Sequence, residues 1–328
     1  MRALISTAPF AENNTYPLDL LSEAGIEYCL NPYGRKLNEN ELSELIKDYD
    51  CLIAGTEPIK QTALRRASRL KLIARVGIGL DSVDLIRARD TDIQVTYTPN
   101  APSPAVAELT LGLMLTLLRS IHLANRDIHD GKWERYFGRR LSRCTVGVIG
   151  AGRIGSRVIQ HLSGFNCQKV LVNDLIEMNE LASSVQYEST DKTTIYKDAD
   201  LITVHVPLTP LTRNMISHKE LRLMKSGAIL INTSRGGIVN ESALYDVMKG
   251  GHLSGAAIDT FLDEPYNGPL RNLDRCLLTA HMGSMSNDCR AQMEIEATEE
   301  VVRLSRGEKL KQLVPEFEYE NQQYMDYE

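Results

Sequence analysis

Three short polar segments in the second half of the chain each contain a residue able to take part in chemistry. These residues are Arg235 in INTSRGG, Glu264 in DTFLDEP and His281 in TAHMG. The planar guanidinium of an arginine binds a carboxylate through two hydrogen bonds. A carboxylate beside an imidazole favours the protonated ring, which can then donate a proton. Together the three residue types predict a site that binds an organic acid and transfers a proton.

The apolar runs before these residues would bring them together. AILINT, SGAAID and CLLTA are short and apolar, as buried strands are. The carboxyl ends of parallel strands open onto one crevice, so residues up to 46 positions apart can share a site there. Taken singly, Arg235 would be interpreted as a surface ion pair, His281 as a core histidine and Glu264 as a solvated loop acid. Their occurrence at successive strand ends favours a common site.

A glycine-rich segment upstream predicts a nucleotide site. GVIGAGRIGSRV places Gly150, Gly152 and Gly155 between an apolar strand and a helix. In that context the glycines permit a tight turn, approach of the backbone to a pyrophosphate, and close packing of helix on strand. Asp174 ends the next strand, 19 positions after Gly155, where an acid binds the adenosine ribose hydroxyls. This acid would repel the 2′-phosphate of NADP, and Leu175-Ile176 provides no arginine for it, so the predicted cofactor is NAD.

Short β-branched runs alternate with helix-patterned stretches, which predicts βα units and mainly parallel sheets. Five runs predict a first sheet, at residues 3–6, 26–30, 50–55, 70–77 and 93–97. Six more predict a second sheet, at residues 145–150, 169–174, 201–206, 228–233, 254–259 and 276–280. A complete dinucleotide-binding sheet has six strands, with a glycine loop after the first.

Prolines mark the boundary between the two sheets. Pro99, Pro102 and Pro104 favour extended backbone before them, and a long helix is predicted from there to about His129. The helical segment SNDCRAQMEIEATEEVVRLSRG follows the completed second sheet and is predicted to pack on the first domain. The acidic, aromatic tail after Val314 shows no turn or helix pattern.

The expected architecture is an α/β protein with two doubly wound parallel-sheet domains. A Rossmann NAD-binding domain at 99–281 is inserted in a discontinuous substrate domain at 1–98 and 282–328. Within the substrate domain, Asn38 and Glu41 have the spacing of a capping box at a helix start.

Composition excludes several classes of protein. The 328 residues are 43% hydrophobic and 24% charged with a formal net charge of −6, which disfavours nucleic acid as a partner. No signal-like segment is recognised, and no stretch approaches the ~18 apolar residues of a membrane helix. The six cysteines are scattered, without a CxxC pair or a histidine at zinc-ligand spacing. We therefore expect no disulfides, no metal and no membrane partner, and a cytoplasmic location.

From about Ile53 to Gly307 the chain resembles the D-isomer-specific 2-hydroxyacid dehydrogenases, and within them the phosphoglycerate dehydrogenase branch. The segments that carry the resemblance are RVGIGLDSVDL, NAPSPAVAELTLGLML, GVIGAGRIGSRV, HVPLTPLTRNMI, INTSRGGIVNESAL, AAIDTFLDEP and LLTAHMGS. The resemblance implies an oxidoreductase that transfers a hydride between NAD and C2 of a D-2-hydroxy acid or 2-oxo acid. It also implies a flavodoxin-like substrate domain and a homodimer with Trp133 and Tyr136 near its interface.

The resemblance further implies roles for individual residues. Arg235 binds the substrate carboxylate and keto oxygen, Glu264 pairs with the imidazole, and His281 is the acid and base. One backbone loop of the substrate domain also holds the carboxylate, and it consists of Val76, Gly77, Ile78 and Gly79. The remaining residues bind the cofactor: Arg153 and Ile154 at the pyrophosphate, His205, Val206 and Pro207 around the adenosine, and Thr233 and Asp259 near the nicotinamide.

Three positions depart from the family pattern. Ala280 stands where a proline usually precedes the histidine, and Arg143 replaces a glycine before the first strand of the nucleotide domain. Ala54-Gly55-Thr56 occupies the place of an Arg-Ser pair in phosphoglycerate enzymes. The last change removes a cation that would bind a substrate phosphate, so a 3-phosphoglycerate-like substrate is left open.

An alternative function is a non-catalytic, NAD-sensing regulator of the corepressor type on the same scaffold. Folding and NAD binding require only the glycine loop and Asp174, and a fold alone does not specify an activity. The complete set of Arg235, Glu264 and His281 favours the enzyme. Oxidation of a small inorganic or one-carbon anion is also open, because these three residues do not select the substrate side chain.

Overall fold

A computed structural model describes residues 1–175 and 185–323, and the chain forms two compact units. The first unit is Met1–Pro102 together with Ser284–Glu328, and the second is Ser103–Gly283. The divisions therefore lie a few residues C-terminal of the predicted boundaries at 98/99 and 281/282.

The first unit contains a five-stranded parallel sheet in the order β2-β1-β3-β4-β5. Its strands are β1 Arg2–Ile5, β2 Glu27–Leu30, β3 Cys51–Ala54, β4 Leu72–Arg75 and β5 Gln94–Thr96. This order belongs to flavodoxin-like doubly wound sheets, which bind ligands where the strand order reverses, here between β1 and β3. The predicted strands are confirmed, and most are a residue or more shorter than the apolar runs that predicted them.

Helices connect these strands. They are α1 Tyr16–Glu23, α2 Glu39–Leu45, α3 Gln61–Arg66 and α4 Leu85–Asp90. The predicted capping box at α2 is confirmed, because the Glu41 amide donates to the Asn38 side chain at 2.9 Å and the Asn38 amide donates to Glu41 at 3.0 Å. These bonds satisfy two backbone donors that the helix start leaves free.

The second unit contains a seven-stranded parallel sheet in the order β12-β11-β10-β9-β6-β7-β8. The strands are β6 Thr145–Ile149, β7 Lys169–Asn173, β8 Glu188–Ser189, β9 Leu201–Val204, β10 Ile229–Asn232, β11 Gly255–Ile258 and β12 Cys276–Leu278. The prediction of six strands was wrong, because β8 adds a seventh. Its two residues are exposed and carry no apolar pattern, so only pairing with β7 defines it as a strand.

Both faces of this sheet are covered. Its helices are α5 Pro102–Arg119, α6 Ile121–His129, α7 Arg153–Ser163, α8 Lys192–Asp198, α9 His218–Leu223 and α10 Glu241–Lys249. Along β10 successive side chains enter different hydrophobic clusters, with Leu230 on one face and Ile229 and Ile231 on the other. The strand order reverses between β6 and β9, which is the ligand-binding position of a Rossmann sheet.

The single long helix predicted up to His129 is instead two helices. Ser120 takes a left-handed conformation with φ 51° between α5 and α6, and the two axes differ by 66°. Among the described residues no single helix has the length and apolarity to cross a membrane, whereas this bent pair reaches them only when its two members are counted together.

The chain returns to the first unit after β12. Helix α11, Asn287–Ser305, packs on α1, β3 and β4, as predicted. Helix α12, Glu316–Gln323, follows it, although the sequence of the tail shows no helix pattern. Residues 324–328 lie outside the described part. The six cysteines are free, as expected.

Candidate active site

His281 and Glu264 form a hydrogen-bonded pair in the second unit. His281 Nδ1 lies 3.0 Å from both Oε1 and Oε2 of Glu264. The contact orients the ring, assigns the Nδ1 proton to the carboxylate side, and leaves Nε2 on the opposite edge of the imidazole. Both side chains are partly exposed, with 32% and 23% of their surfaces accessible, so a small ligand can reach the pair. This is the arrangement of an oriented general acid or base.

The turn that carries His281 is built around the carboxylate of Asp259. His281 has φ 49°, a backbone conformation that residues other than glycine adopt rarely. Asp259 is buried and accepts hydrogen bonds from the Thr279 hydroxyl at 2.6 Å, the Met282 amide at 2.9 Å and the Gly283 amide at 3.0 Å. The His281 amide also donates to the Asp259 carbonyl at 2.8 Å. These four bonds hold the turn without the proline that Ala280 replaces.

Arg235 lies on the turn after β10. Asn232, the last residue of that strand, accepts from the Ser234 amide at 3.1 Å and donates to the Arg235 carbonyl at 2.9 Å. A Cβ atom on Gly236 would lie 2.0 Å from the backbone of Phe261, so only glycine lets this turn approach the loop after β11. Strand pairing and the close contact of Gly236 with Phe261 bring Arg235 to the sheet edge that carries Glu264 and His281.

Glu241, which the sequence prediction missed, helps to hold the loop after β11 that carries Glu264. Glu241 begins α10 and accepts from the Leu262 amide at 2.8 Å, while Glu264 accepts from the Phe261 amide at 3.2 Å. Burial raises the pKa of Glu241, and the neighbouring Asp263 and Glu264 carboxylates raise it further. The sequence offered only an acid in a first helical turn, which is common for reasons of helix stability alone.

The glycine loop has the geometry that a dinucleotide requires. Gly150 has φ 90°, and a Cβ on Gly155 would lie 2.0 Å from the Gly150 carbonyl oxygen. Around Gly152, in contrast, no atom of the described residues other than its own chain neighbours lies within 4 Å of the position a Cβ would take. Gly152 is the N-cap of α7, and no side-chain cap covers the start of that helix. The start of α7 therefore fits a pyrophosphate.

Asp174 and Thr233, which were also predicted to bind the cofactor, each follow another strand of the same sheet. Asp174 is exposed at the end of β7 and accepts from the Ala151 amide at 2.5 Å, which ties the acid to the glycine loop. Thr233 is buried, with its hydroxyl 2.9 Å from that of Thr110. Ile176, which follows Asp174 and Leu175, lies outside the described residues.

His205 favours its neutral form. Its amide donates to the Ile149 carbonyl at 2.7 Å and its Nε2 lies 2.9 Å from the Thr203 hydroxyl, while Nδ1 is buried and has no hydrogen-bond partner among the described residues. Burial lowers the pKa of His205 to about 3, so the ring is neutral. The backbone of His205 passes beneath Gly150, and Val206 and Pro207 follow it at the same sheet edge.

In the first unit, Val76–Gly79 form the loop after β4. Gly77 has φ 139°, its amide donates to the Thr98 hydroxyl at 2.8 Å, and a Cβ here would lie 2.9 Å from the Arg75 guanidinium. Ile78 and Gly79 are partly exposed, and within the described residues their amides donate to no protein acceptor. Two adjacent free amides suit the binding of an anion.

A family profile described as "D-isomer specific 2-hydroxyacid dehydrogenase, NAD binding domain" matches residues 111–283. The D-3-phosphoglycerate dehydrogenase of Methanocaldococcus jannaschii is 38% identical over 284 residues, which cover 85% of this chain and 54% of that protein. The hydroxypyruvate reductase of Thermotoga maritima is 34% identical over 274 residues, covering 81% of this chain and 88% of the relative.

The chain belongs to the D-isomer-specific 2-hydroxyacid dehydrogenase family. A crystal structure of D-lactate dehydrogenase from Aquifex aeolicus, complexed with NAD and lactic acid, has a TM-score of 0.83 to this family member at 26% identity and covers 94% of this chain and 96% of that one. This family member spans about half the length of the phosphoglycerate dehydrogenase it matches and most of the length of the reductase. Its second unit is the NAD-binding Rossmann domain of the family.

Two glycine substitutions separate folding from cofactor binding in this family member. We expect Gly155→Ala to lower the free energy of unfolding by about 1–3 kcal/mol, because the methyl group overlaps the Gly150 carbonyl. The methyl group of Gly152→Ala contacts none of the described residues beyond its chain neighbours, so this variant should unfold as the wild type does. It should bind NADH about tenfold or more weakly, since the methyl group fills the space before α7. Thermal unfolding and NADH fluorescence titration check both results. Wild-type NADH affinity in Gly152→Ala would contradict the pyrophosphate position.

Proposed function

We propose that this chain is an NAD-dependent dehydrogenase that interconverts a D-2-hydroxy acid and its 2-oxo acid. The observation that carries this proposal is the His281–Glu264 pair, at 3.0 Å, on the sheet edge that also carries Arg235 and the glycine loop. A non-catalytic nucleotide sensor would need the glycine loop and Asp174, but it would have no use for an oriented imidazole.

Arg235 binds the substrate. Its planar fork of donors suits a carboxylate and an adjacent keto oxygen, which are the two acceptor groups of every 2-oxo acid. As the family resemblance implies, we also propose the amides of Ile78 and Gly79, which donate to no acceptor among the described residues, as donors to the carboxylate of the acid. Both sets of donors recognise the part of the substrate that all members of the class share, so they do not select its side chain.

His281 moves the proton. In the direction of reduction, Nε2 donates its proton to the keto oxygen as that oxygen becomes a hydroxyl, and in the direction of oxidation it accepts the proton back. Glu264 holds Nδ1–H and stabilises the charged ring. The nicotinamide, when bound, supplies or receives the hydride at C2. In the overall reaction, a 2-oxo acid, NADH and one proton are converted reversibly to a 2-hydroxy acid and NAD⁺.

The substrate side chain is proposed to be small and unphosphorylated. Ala54-Gly55-Thr56 provides no cation at the carboxyl end of β3, and the next residue, Glu57, is a buried acid. Glu57 accepts hydrogen bonds from the Ser6 hydroxyl and, at 3.0 Å, from the Gly55 amide. A carboxylate at the ligand-binding end of this sheet repels a phosphate. Glyoxylate and hydroxypyruvate, on which relatives are named as acting, fit this environment.

The first test is turnover. Purified protein with NADH and a panel of 2-oxo acids should oxidise NADH, as followed at 340 nm. We expect His281→Ala to lower kcat about 10²–10⁴-fold through loss of the proton donor. Arg235→Ala should lower kcat/KM and raise KM, because it removes donors to the carboxylate. Arg222→Ala and His161→Ala change exposed residues of the same unit and should leave turnover unchanged. NADH binding with no turnover of any acid would instead favour the regulator.

A second test concerns phosphate. We expect kcat/KM for glyoxylate or hydroxypyruvate to exceed that for the phosphorylated 2-oxo acid derived from 3-phosphoglycerate by about tenfold or more, a difference of about 1.4 kcal/mol. Glu57→Gln removes the negative charge and keeps an acceptor for Gly55, so it should narrow that ratio. Steady-state kinetics on both substrates decide the point, and a preference for the phosphorylated acid would refute the substrate assignment.

We also propose a homodimer formed through the second unit. Trp133 is 78% exposed and Phe137 is fully exposed on the segment after α6, and Ile121 and Ile128 expose more than half of their surfaces on that helix. A second copy of the chain would bury these side chains. Near them, the Tyr136 hydroxyl donates to Asp127, and this hydrogen bond raises the pKa of Tyr136.

Replacing both exposed aromatic residues should break this dimer. We expect Trp133→Ser with Phe137→Ser to shift the mass measured by sedimentation equilibrium from dimer to monomer at micromolar concentration. Leu211→Ser changes an equally exposed apolar residue of the same unit and should leave the mass unchanged. A monomeric wild type, or a dimer that persists in the double variant, would refute this interface.

A further inference from the structure

The last described helix, α12, lies beside the loop that joins β4 to α4, and one of its side chains contacts that loop three times. Gln322 Oε1 accepts a hydrogen bond from the Leu85 amide at 2.9 Å. Gln322 Nε2 donates to the Val83 carbonyl at 2.7 Å and to the Leu80 carbonyl at 3.1 Å. The oxygen and the nitrogen of the Gln322 side-chain amide therefore both bond to main-chain groups of residues 80–85. These residues precede Gln322 by more than 230 positions in the sequence.

These contacts fall on a segment that has no regular structure of its own. Between Arg75, which ends β4, and Leu85, which begins α4, the backbone makes only a few local bonds, such as Val83 to the Leu80 carbonyl at 3.0 Å. The Ile59 amide donates to the Ser82 carbonyl at 2.8 Å from one side. Gln322 gives the Val83 carbonyl and the first amide of α4 a partner that the loop itself does not provide, and it adds a second donor to the Leu80 carbonyl.

The residues that Gln322 contacts begin at Leu80, directly after Ile78 and Gly79. Leu80 is buried and is adjacent to Gly79, whose amide and that of Ile78 donate to no acceptor among the described residues. Gly77 and Gly79 leave this part of the loop with wide conformational freedom. The bond from Gln322 to the Leu80 carbonyl fixes the C-terminal side of the turn, and the bond from the Gly77 amide to Thr98 fixes its N-terminal side.

Helix α12 is itself held firmly enough to serve as an anchor. The chain before it pairs with β5, since the Val314 amide donates to the Val95 carbonyl at 3.0 Å. Arg89 of α4 forms an ion pair with Glu316 at 2.8 Å and lies 5.1 Å from the ring centre of Tyr319. Tyr319 also packs against the hydrophobic core of the first unit. The pairing before α12 and the contacts of Glu316 and Tyr319 thus support the position of Gln322.

We propose that Gln322 is a positioning residue for substrate binding: it holds Leu80–Leu85 so that the Ile78 and Gly79 amides keep the arrangement that receives the substrate carboxylate. This inference rests on the proposed function, which assigns that loop to the carboxylate. Gln322 touches neither the substrate nor the cofactor in this scheme. Its effect therefore falls on affinity for the acid, and the chemical step and NADH binding do not depend on it.

The test compares the wild-type chain with three variants. Gln322→Leu removes all three hydrogen bonds and keeps a similar side-chain volume. Gln322→Glu keeps an acceptor for the Leu85 amide but cannot donate to the Leu80 and Val83 carbonyls. Gln292→Leu makes the same chemical change at an exposed position of α11 and is the matched control. The measurements are KM and kcat for glyoxylate, the Kd of NADH, the thermal midpoint, and hydrogen exchange of peptides that cover residues 76–85.

We expect Gln322→Leu and Gln322→Glu to raise the KM for glyoxylate about three- to tenfold, with kcat and the Kd of NADH within about twofold of wild type. Exchange in 76–85 should be faster in both variants, and Gln292→Leu should match the wild type. A purely structural role would lower the thermal midpoint without this selective rise in KM. Unchanged KM, or unchanged exchange in 76–85, overturns the inference.

A wild type that reduces no 2-oxo acid would refute the proposed function separately. In that case hydrogen exchange alone decides whether Gln322 holds the loop: faster exchange in Gln322→Leu supports the anchoring contact, and unchanged exchange overturns it. The two failures are thus distinguishable, because turnover by the wild type tests the activity and exchange in the variants tests the anchor.

Discussion

The site in the second unit depends on the parallel pairing of three neighbouring strands, β10, β11 and β12. Asn232 pairs with Ile258, and Ile258 pairs with Leu278, so the three strands end almost level with one another. The residues that follow them are therefore at one edge whatever their separation along the chain. Pairing alone leaves several ångströms between adjacent turns, and Gly236 closes part of that space by admitting the backbone of Phe261.

Three carboxylates, of which Asp259 is buried and Glu241 and Glu264 are partly exposed, then give the edge its detailed shape. Asp259 binds two amides and a hydroxyl of the turn that carries His281, and Glu241 and Glu264 each accept an amide of the loop after β11. Hydrogen bonds to a charged acceptor are stronger than those between neutral groups. They can therefore hold His281 in a left-handed conformation that its own backbone disfavours. The imidazole is placed before any substrate arrives, which is what general acid catalysis requires.

In the first unit, main-chain amides take the place that the His281 side chain has in the second unit. The loop after β4 presents amides, which cannot be aimed by rotating a side chain, so the backbone itself must be held. Thr98 holds it on one side, and Gln322, from the far end of the chain, holds it on the other. A glutamine suits this position because one planar amide satisfies both a donor and acceptors of the main chain. Gln322 thus provides this loop with side-chain hydrogen bonds from a distant part of the sequence.

The sequence by itself determined the sheets, the cofactor loop and the pairing of Glu264 with His281. Apolar runs bounded by turn residues report burial, and glycines at Gly150, Gly152 and Gly155 report a backbone conformation that few other residues allow. It did not reveal β8, the bend at Ser120 or helix α12, because exposed strand residues, a single left-handed residue and an acidic aromatic stretch carry no periodic apolar signal. Tertiary structure alone assigned Asp259 to the His281 turn, Glu241 to the Glu264 loop and Gln322 to the loop after β4. Each of these side chains acts on main-chain groups of another segment, and a main-chain amide or carbonyl is the same in every sequence, so only the folded chain shows which ones they contact.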